Sequence, residues 1–195
     1  MPRRSRQVVK VLHADGGRLR EGVQQIQAEL GVTAEFPAEV LQAAERAVRE
    51  PRLPDLDRTD IPFVTVDPEG SMDLDQALHL ERDGDGYVVH YAIADVGAFV
   101  KPGDPVDLEA NRRGETLYGA DSKVPLHPKP ISEDAGSLLP DQVRPSLLWT
   151  IDVDSTGEGT EVNVERALVK SRAKLTYVDV QEQLDSGGSQ TTRRR

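Results

Sequence analysis

The sequence predicts an α+β fold: a mixed, mostly antiparallel sheet with flanking helices. Three observations carry that expectation. Runs rich in β-branched, aromatic and aliphatic residues recur at 64–66, 77–81, 87–94, 147–153 and 161–169, and such runs favour strands. Two of the gaps between them, Asp83-Gly84-Asp85-Gly86 and Asp152-Val153-Asp154-Ser155-Thr156-Gly157, have the Gly/Asp chemistry of hairpin turns. Between and around the strand runs, helices are predicted at 17–30, 37–50, 105–113 and 174–184.

In chain order, residues 1–35 read as a basic lead, with Arg3, Arg4, Arg6 and Lys10 free of intervening acids. Leu19, Val23, Ile26 and Leu30 recur at helical spacing within it. The helix over 37–50 is better defined. Pro37 suits a first turn, Pro51 stops it, and Val40, Leu41, Ala44, Ala47 and Val48 form one apolar stripe. Three prolines between 51 and 62 make the next stretch an extended linker. Residues 64–66, 77–81 and 87–94 are the first three strands, and 147–153 with 161–169 form a second hairpin. Neither acidic turn fits a calcium loop, because the twelfth position would fall on Ala92 or Asn163 instead of Glu. Apart from the helix at 105–113, residues 101–146 are mostly irregular, and long irregular stretches inside a domain tend to be functional. Lys174 to Leu184 is predicted as a last amphipathic helix, and 186–195 as a disordered basic tail.

The chemistry concentrates at 63–77. An apolar strand ends in Asp67, a Pro/Gly turn follows, and Asp73 and Asp75 come next. Residues i and i+2 of an extended segment face the same way, so Asp73 and Asp75 can aim at one point, and Asp67 can return to it across the turn. Three converging carboxylates repel one another unless a cation joins them. Mg²⁺ is the natural candidate, with Mn²⁺ as a substitute, since both take hard oxygen ligands. The competing reading is solvated loop acids in an acidic protein. The setting of the cluster, between β-type runs, favours the first.

Composition removes several other chemistries. The 195 residues contain no cysteine, which excludes disulfides, thiolate metal sites and cysteine nucleophiles. No apolar run is long enough to span a bilayer, and the basic start has no apolar segment after it, so a cytoplasmic location is expected. No organic cofactor motif is present, and no feature specifies an oligomeric state. The net charge of −10 is uneven: residues 1–35 carry +2, the last three residues are Arg, and residues 36–192 carry −15. An acidic body argues against broad non-specific adhesion to nucleic acid, though not against a local basic channel or a metal-held phosphate.

Nine segments then occur in a telling order: Val66-Asp67, Ser71-Met72-Asp73-Leu74-Asp75-Gln76-Ala77, Tyr91 to Val96, Arg113 to Tyr118, Val124 to Pro128, Ser132, Ser137-Leu138, Val143-Arg144-Pro145 and Arg172 to Tyr177. In these the chain, from about Phe36 to Asp185, resembles the catalytic (RNB) domain of the ribonuclease II and ribonuclease R exoribonucleases. The resemblance implies a Mg²⁺-dependent hydrolase that removes nucleotides one at a time from the 3′ end of single-stranded RNA. It places Asp67, Asp73 and Asp75 on three of the family's four metal-site aspartates and Gln76 on the fourth, where an amide brings oxygen but no charge. Asp73 and Asp75 would act in catalysis. Tyr118 falls where the family has a tyrosine beside the RNA 3′ end, suited to stacking or to setting the exit of the cleaved nucleotide. Arg113 and Arg144 are candidate RNA contacts, with Arg112, Lys123 and Lys129 as weaker ones. For Asp95, capping or a salt bridge is preferred to catalysis. His79 and His90 are expected to be structural, and His127 a loop residue near a channel mouth.

The resemblance also implies what is absent. The family's domain continues with a second part that supplies another acid and an arginine, so this chain is expected to be the front half of an RNB-type domain. Residues 36–185 form that partial domain, between the lead at 1–35 and the tail at 186–195. The alternative to an active exoribonuclease is an inactive RNB fragment with residual metal or RNA binding. A third reading is an acidic β-rich interaction domain.

Overall fold

The computed structural model describes residues 16–119 and 122–186. The basic lead of Arg3, Arg4, Arg6 and Lys10, and the tail beyond Ser186, lie outside the described residues.

A first helix, α1, spans Gly16–Glu29, and a second, α2, Ala38–Arg49. Strands β1 (Phe63–Val66), β2 (Gln76–Asp83) and β3 (Gly86–Ala94) follow. Helix α3 covers Pro105–Arg113, and a small two-stranded element pairs β4 (Leu117–Tyr118) with β5 (Lys123–Val124). A single wide helical turn, Ile131–Ala135, closed by the Gly136 N–H on the Ile131 carbonyl five residues back, leads to the long strands β6 (Val143–Val153) and β7 (Gly159–Leu175), and helix α4 (Tyr177–Asp185) comes last.

The five longer strands close into a barrel in the order β1-β2-β3-β6-β7. Every contact is antiparallel except the closing one, where β7 runs parallel to β1 with Val64 opposite Ala173 and Val66 opposite Leu175. This is the mixed, mainly antiparallel sheet that the sequence predicts, with one addition: the short β1 closes it into a barrel by bridging β2 and the C-terminal end of β7. A five-stranded barrel has a narrow interior, so inward positions must be small wherever large ones already fill it. Ala77, Ala92 and Ala167 accordingly sit beside Phe63, Leu148 and Val169, all buried. Each large buried side chain contributes about 1.5–3 kcal/mol relative to an exposed one. Buried Ser146 and Ser171 spend their hydroxyls on the carbonyls of Ala167 and Ala173.

The first hairpin turns in two residues, Gly84-Asp85, with Gly84 at φ 54°. Gly86 must be glycine for space: a Cβ there would lie 2.2 Å from the Val153 carbonyl. The second turn is organised by Asp154, whose carboxylate accepts from the N–H groups of Thr156 and Glu158 and from the Thr156 hydroxyl.

A second core lies against α2 and α3. Val40, Ala43 and Ala44 pack with Phe99, Val106, Ile131 and Ala135. The α2 stripe is therefore rotated from its expected position: Ala43 is buried and Leu41 is largely exposed. Helix α3 starts on Asp104, which accepts from the Asp107 N–H at 2.9 Å, has Pro105 in its first turn, and ends on Gly114 at φ 80°.

One helical expectation needs correction. Lys174 and Leu175 belong to β7, because they pair with Thr65 and Val66, so α4 begins only at Tyr177. Its start is fixed by a reciprocal cap between Thr176 and Asp179, and it buries no residue. Helix α1 lies where helical spacing placed it, but Leu19, Ile26 and Leu30 are exposed.

Candidate active site

The barrel rim sets the position of the three acids. Phe63 and Thr65 of β1 are buried. Asp67 keeps their phase one step beyond the strand, so it emerges at the mouth. Its N–H still donates to the Leu175 carbonyl at 3.0 Å. The chain turns through Pro68–Ser71 and returns along 72–75. Leu74 is completely buried, and in an extended segment that turns its neighbours Asp73 and Asp75 the other way, out of the core.

Leu74 is held from several sides. Its N–H donates to Ser137 Oγ at 2.9 Å, and its carbonyl accepts from the Leu138 N–H at 2.9 Å. The same Ser137 hydroxyl donates to the Met72 carbonyl at 2.7 Å. Lys174 Nζ reaches the Glu69 and Ser71 carbonyls at 2.7 and 2.6 Å, and the Asp75 carbonyl accepts from the Ala94 N–H. The acidic loop is thus pinned to β3, to β7 and to the 131–138 segment.

The three carboxylates line one open pocket of ≈ 640 Å³, together with Ser71, Met72, Tyr118, Lys123 and Glu133. Tyr118 and Lys123 are opposite partners across the β4–β5 pair, so both side chains reach over the acids from the same element. Tyr118 is 76 % exposed. Lys123 Nζ lies 3.1 Å from Asp73 Oδ2 and 3.2 Å from Glu133 Oε1.

The electrostatics are those of crowded anions. Loss of water pushes the Asp75 carboxyl above its ordinary range, the charges of Asp73 and Asp67 push it further, and Lys123 pulls it back. Asp67 is raised chiefly by burial, with Lys174 opposing and Asp73 adding. Burial acts to lower the Lys123 ammonium, but its hydrogen bonds to Asp73 and Glu133 outweigh that and leave it raised.

The structure uses the other sequence candidates differently. Arg113 is not placed to meet RNA. Its side chain is 4 % exposed, it pairs with buried Glu109, and it donates to the carbonyls of Thr33, Glu35 and Pro125 over the face of Phe36. Arg144 lies away from the pocket, donating to the Ser137 carbonyl and to Asp134 and Gln142. Its link to the site is mechanical, through Ser137. Gln76 does not line the main pocket. It borders a smaller recess with Asp67, Asp73, Asp75 and Tyr177, and its amide oxygen accepts the Tyr91 hydroxyl, which competes with any metal for that oxygen.

Asp95 is buried and paired with Arg166 at 2.7 Å, the structural role that the sequence favours. Arg112 pairs with Glu109 and Lys129 with Glu133. His79 and His90 stack across β2 and β3, and both face Glu81. His127 is half-buried outside the pocket, and burial lowers its imidazole. Glu133, Ser137 and Lys174 are the contributors that sequence reasoning assigned no role. Two of them, Ser137 and Lys174, lay inside the ordered segments already noted, but a positioning role requires knowing which loop each one meets.

Comparison with known proteins supplies the lineage. The RNB domain family matches residues 55–195. Exoribonuclease 2 of Vibrio vulnificus is 35% identical over 134 residues, which is 68% of this chain and 20% of the relative. Exoribonuclease 2 of Erwinia tasmaniensis is 38% identical over 135 residues, 68% of this chain and 21% of the relative. Among solved structures, Mycoplasma genitalium RNase R in complex with double-stranded RNA aligns with TM-score 0.77 at 27% identity, over 89% of this chain and 31% of that one. The chain spans about a fifth of the length of the curated relatives it matches. With well over half of its residues matched, and with its barrel shared by RNase R, the chain belongs to the RNB-domain family.

Proposed function

We propose that the chain carries the aspartate half of the active centre of a Mg²⁺-dependent exoribonuclease that shortens single-stranded RNA from its 3′ end, one nucleotide at a time. The observation that carries this reading is the convergence of Asp67, Asp73 and Asp75 on one open pocket with the exposed ring of Tyr118 on its wall. The donor set is all oxygen and is electrostatically under-compensated at Asp75, which fits Mg²⁺ or Mn²⁺. Among the described residues no group of three acidic or histidine side chains stands as a ready-made metal shell, so the carboxylates would have to close up on binding. Asp67, Asp73 and Asp75 would hold the metal. When bound, it neutralises the phosphate and acidifies water.

The protein's own residues supply position and selection. Tyr118 offers a face for the terminal base, a contact worth about 1–3 kcal/mol in single-strand binders. Lys123 lies 3.1 Å from Asp73 on the wall of the pocket and would reach a phosphate held beside that carboxylate. The hydrogen bonds of Ser137 and Lys174 pin the backbone of the acidic loop, so that only the carboxylate side chains have to move to close on a metal. RNA as the ligand is supported by the family and by RNase R having been solved with RNA bound.

The test is digestion of 5′-labelled single-stranded RNA in Mg²⁺. The expected result is a ladder shortening from the 3′ end, lost at least about a hundredfold in Asp75→Asn. Absence of any shortening at high protein concentration would refute the proposal for this chain. One observation favours a second reading, an RNB domain that binds metal or RNA without hydrolysis: the fourth acidic position is Gln76, and its oxygen is already engaged by Tyr91. Uptake of Mn²⁺ that depends on Asp73, without RNA shortening, would select it.

A further inference from the structure

We infer that Lys123 is a built-in cation of the acidic pocket, which a divalent ion must displace from Asp73, and that Glu133 is the seat that retains it afterwards. The inference rests on the metal-binding reading above and specifies how the site is charged before metal arrives.

The geometry is specific. The Lys123 ammonium sits between two carboxylates at nearly equal distances, 3.1 Å to Asp73 and 3.2 Å to Glu133. Its side chain is two-thirds buried, and its hydrogen bonds run to both carboxylates. Among the described residues neither Asp67 nor Asp75 has an ion pair, so Asp73 is the one member of the trio in direct contact with a cation. An ammonium has no lone pair to offer a metal, and while it is bonded to Asp73 Oδ2 it takes up one of the carboxylate's lone-pair sites and offsets its charge. A divalent ion on the same carboxylate would meet the ammonium's like charge at close range, so the two cations compete for Asp73. Glu133 keeps the displaced lysine within reach. Lys129 also touches Glu133, at 3.4 Å, but lies on its far side and is mostly exposed. Retained there, Lys123 would stand beside the metal as a phosphate contact instead of being lost to solvent.

The test is calorimetric titration of Mn²⁺, without RNA, into the wild-type chain and into its variants. Lys123→Gln should bind Mn²⁺ about tenfold more tightly than wild type, because it removes the competitor. Lys123→Arg, which keeps the charge, should stay within about twofold of wild type. Lys129→Gln removes the same charge from Glu133 without touching Asp73, and should also change affinity less than about twofold. Glu133→Gln removes both the second seat and an acidic charge from the pocket wall; it should weaken Mn²⁺ binding several-fold while Lys123 is present and less than about twofold when combined with Lys123→Gln, because no ammonium is then left to tie up Asp73. Lys123→Met takes the place of Lys123→Gln if that variant does not fold. Wild-type affinity in both Lys123→Gln and Glu133→Gln, or equal tightening in Lys123→Gln and Lys129→Gln, would overturn the inference and leave the metal reading standing. No Mn²⁺ uptake by any of the proteins would overturn the metal reading and this inference with it.

Discussion

Ser137→Ala is the sharpest probe of how the acids are held. The Ser137 hydroxyl lies in the core with no exposed surface. It accepts from the Leu74 N–H at 2.9 Å and donates to the Met72 carbonyl at 2.7 Å. Alanine keeps the backbone and most of the volume but leaves one buried donor and one acceptor without a partner. A buried group left unpaired costs about 1–3 kcal/mol. The Leu138 N–H still holds the Leu74 carbonyl, so the two losses together should cost about 2–4 kcal/mol. For a chain of this size, where each kcal/mol is worth about 2–4 °C, that is a fall in Tm of about 4–16 °C. Urea denaturation gives the free energy directly, and Mn²⁺ titration of the folded variant shows whether Asp73 and Asp75 have lost their aim. Ser132 supplies the control, because its hydroxyl makes only long contacts of 3.4 and 3.5 Å to the His127 and Pro128 carbonyls. Ser132→Ala should cost under about 0.5 kcal/mol. If Ser137→Ala costs no more than Ser132→Ala, the loop is not held as described.

Two further outcomes follow from other parts of the structure. Glu109 is buried between Arg112 and Arg113, whose hydrogen bonds and charges, against the opposing effect of burial, bring its carboxyl down from the ordinary 4.5 to about 2. A depressed carboxylate contributes stability that is complete above pH 4.5 and is lost as pH falls toward 2; Glu109→Gln should therefore cost about 3 kcal/mol near neutrality and flatten the acid limb of the stability curve measured by urea titration across that window. Tyr118 is so exposed that Tyr118→Ala should leave Tm within about 1 °C, while single-stranded RNA binding, followed by fluorescence anisotropy, should weaken about fivefold or more if the ring stacks on a base.

The parts that the sequence made legible are those set by local chemistry. Turn residues at 83–86, the Pro105 start and Gly114 stop of α3, and the period-2 phase that aims Asp73 and Asp75 together all depend on neighbours within a few positions. What it concealed depends on contacts distant in sequence. Nothing near Lys174 shows that it pairs with Thr65 and extends β7, and without that pairing the closure of the sheet into a barrel is invisible. Arg113 illustrates the same limit. An arginine in a loop-rich segment reads as a phosphate contact until the carbonyls of Thr33 and Glu35, some eighty residues earlier, are found around it. Lys123 was one basic residue among several until the β4–β5 pair set it beside Tyr118, over Asp73.

The acids are held together by the core and not by attraction for one another, and this has a measurable consequence. Asp67, Asp73 and Asp75 repel; Lys123 pairs directly with Asp73 and offsets the repulsion only in part at Asp75, as Lys174 does at Asp67. Their convergence persists because Leu74 is buried, which contributes about 1.5–3 kcal/mol, and because Ser137 and Lys174 tie the loop on either side of it. A carboxyl raised by folding binds protons more tightly in the folded state, so its ionisation opposes folding: the penalty is absent below the ordinary value of 3.8 and grows as pH rises through the raised one. Asp75 keeps access to solvent, and screening reduces the effect to about 0.5 kcal/mol or less. Asp75→Asn, which cannot ionise, should therefore be at least as stable as wild type at pH 7, and that advantage should vanish at pH 3.5, where Asp75 is itself mostly protonated. The same substitution should abolish RNA shortening. A variant that is inactive and no less stable separates the two roles of the loop: the core fixes its shape, while the charges at the rim serve only the ligand. An Asp75→Asn protein less stable than wild type by about 1 kcal/mol at pH 7 would instead mean that the carboxylate has a stabilising partner, and that the pocket is balanced without a metal.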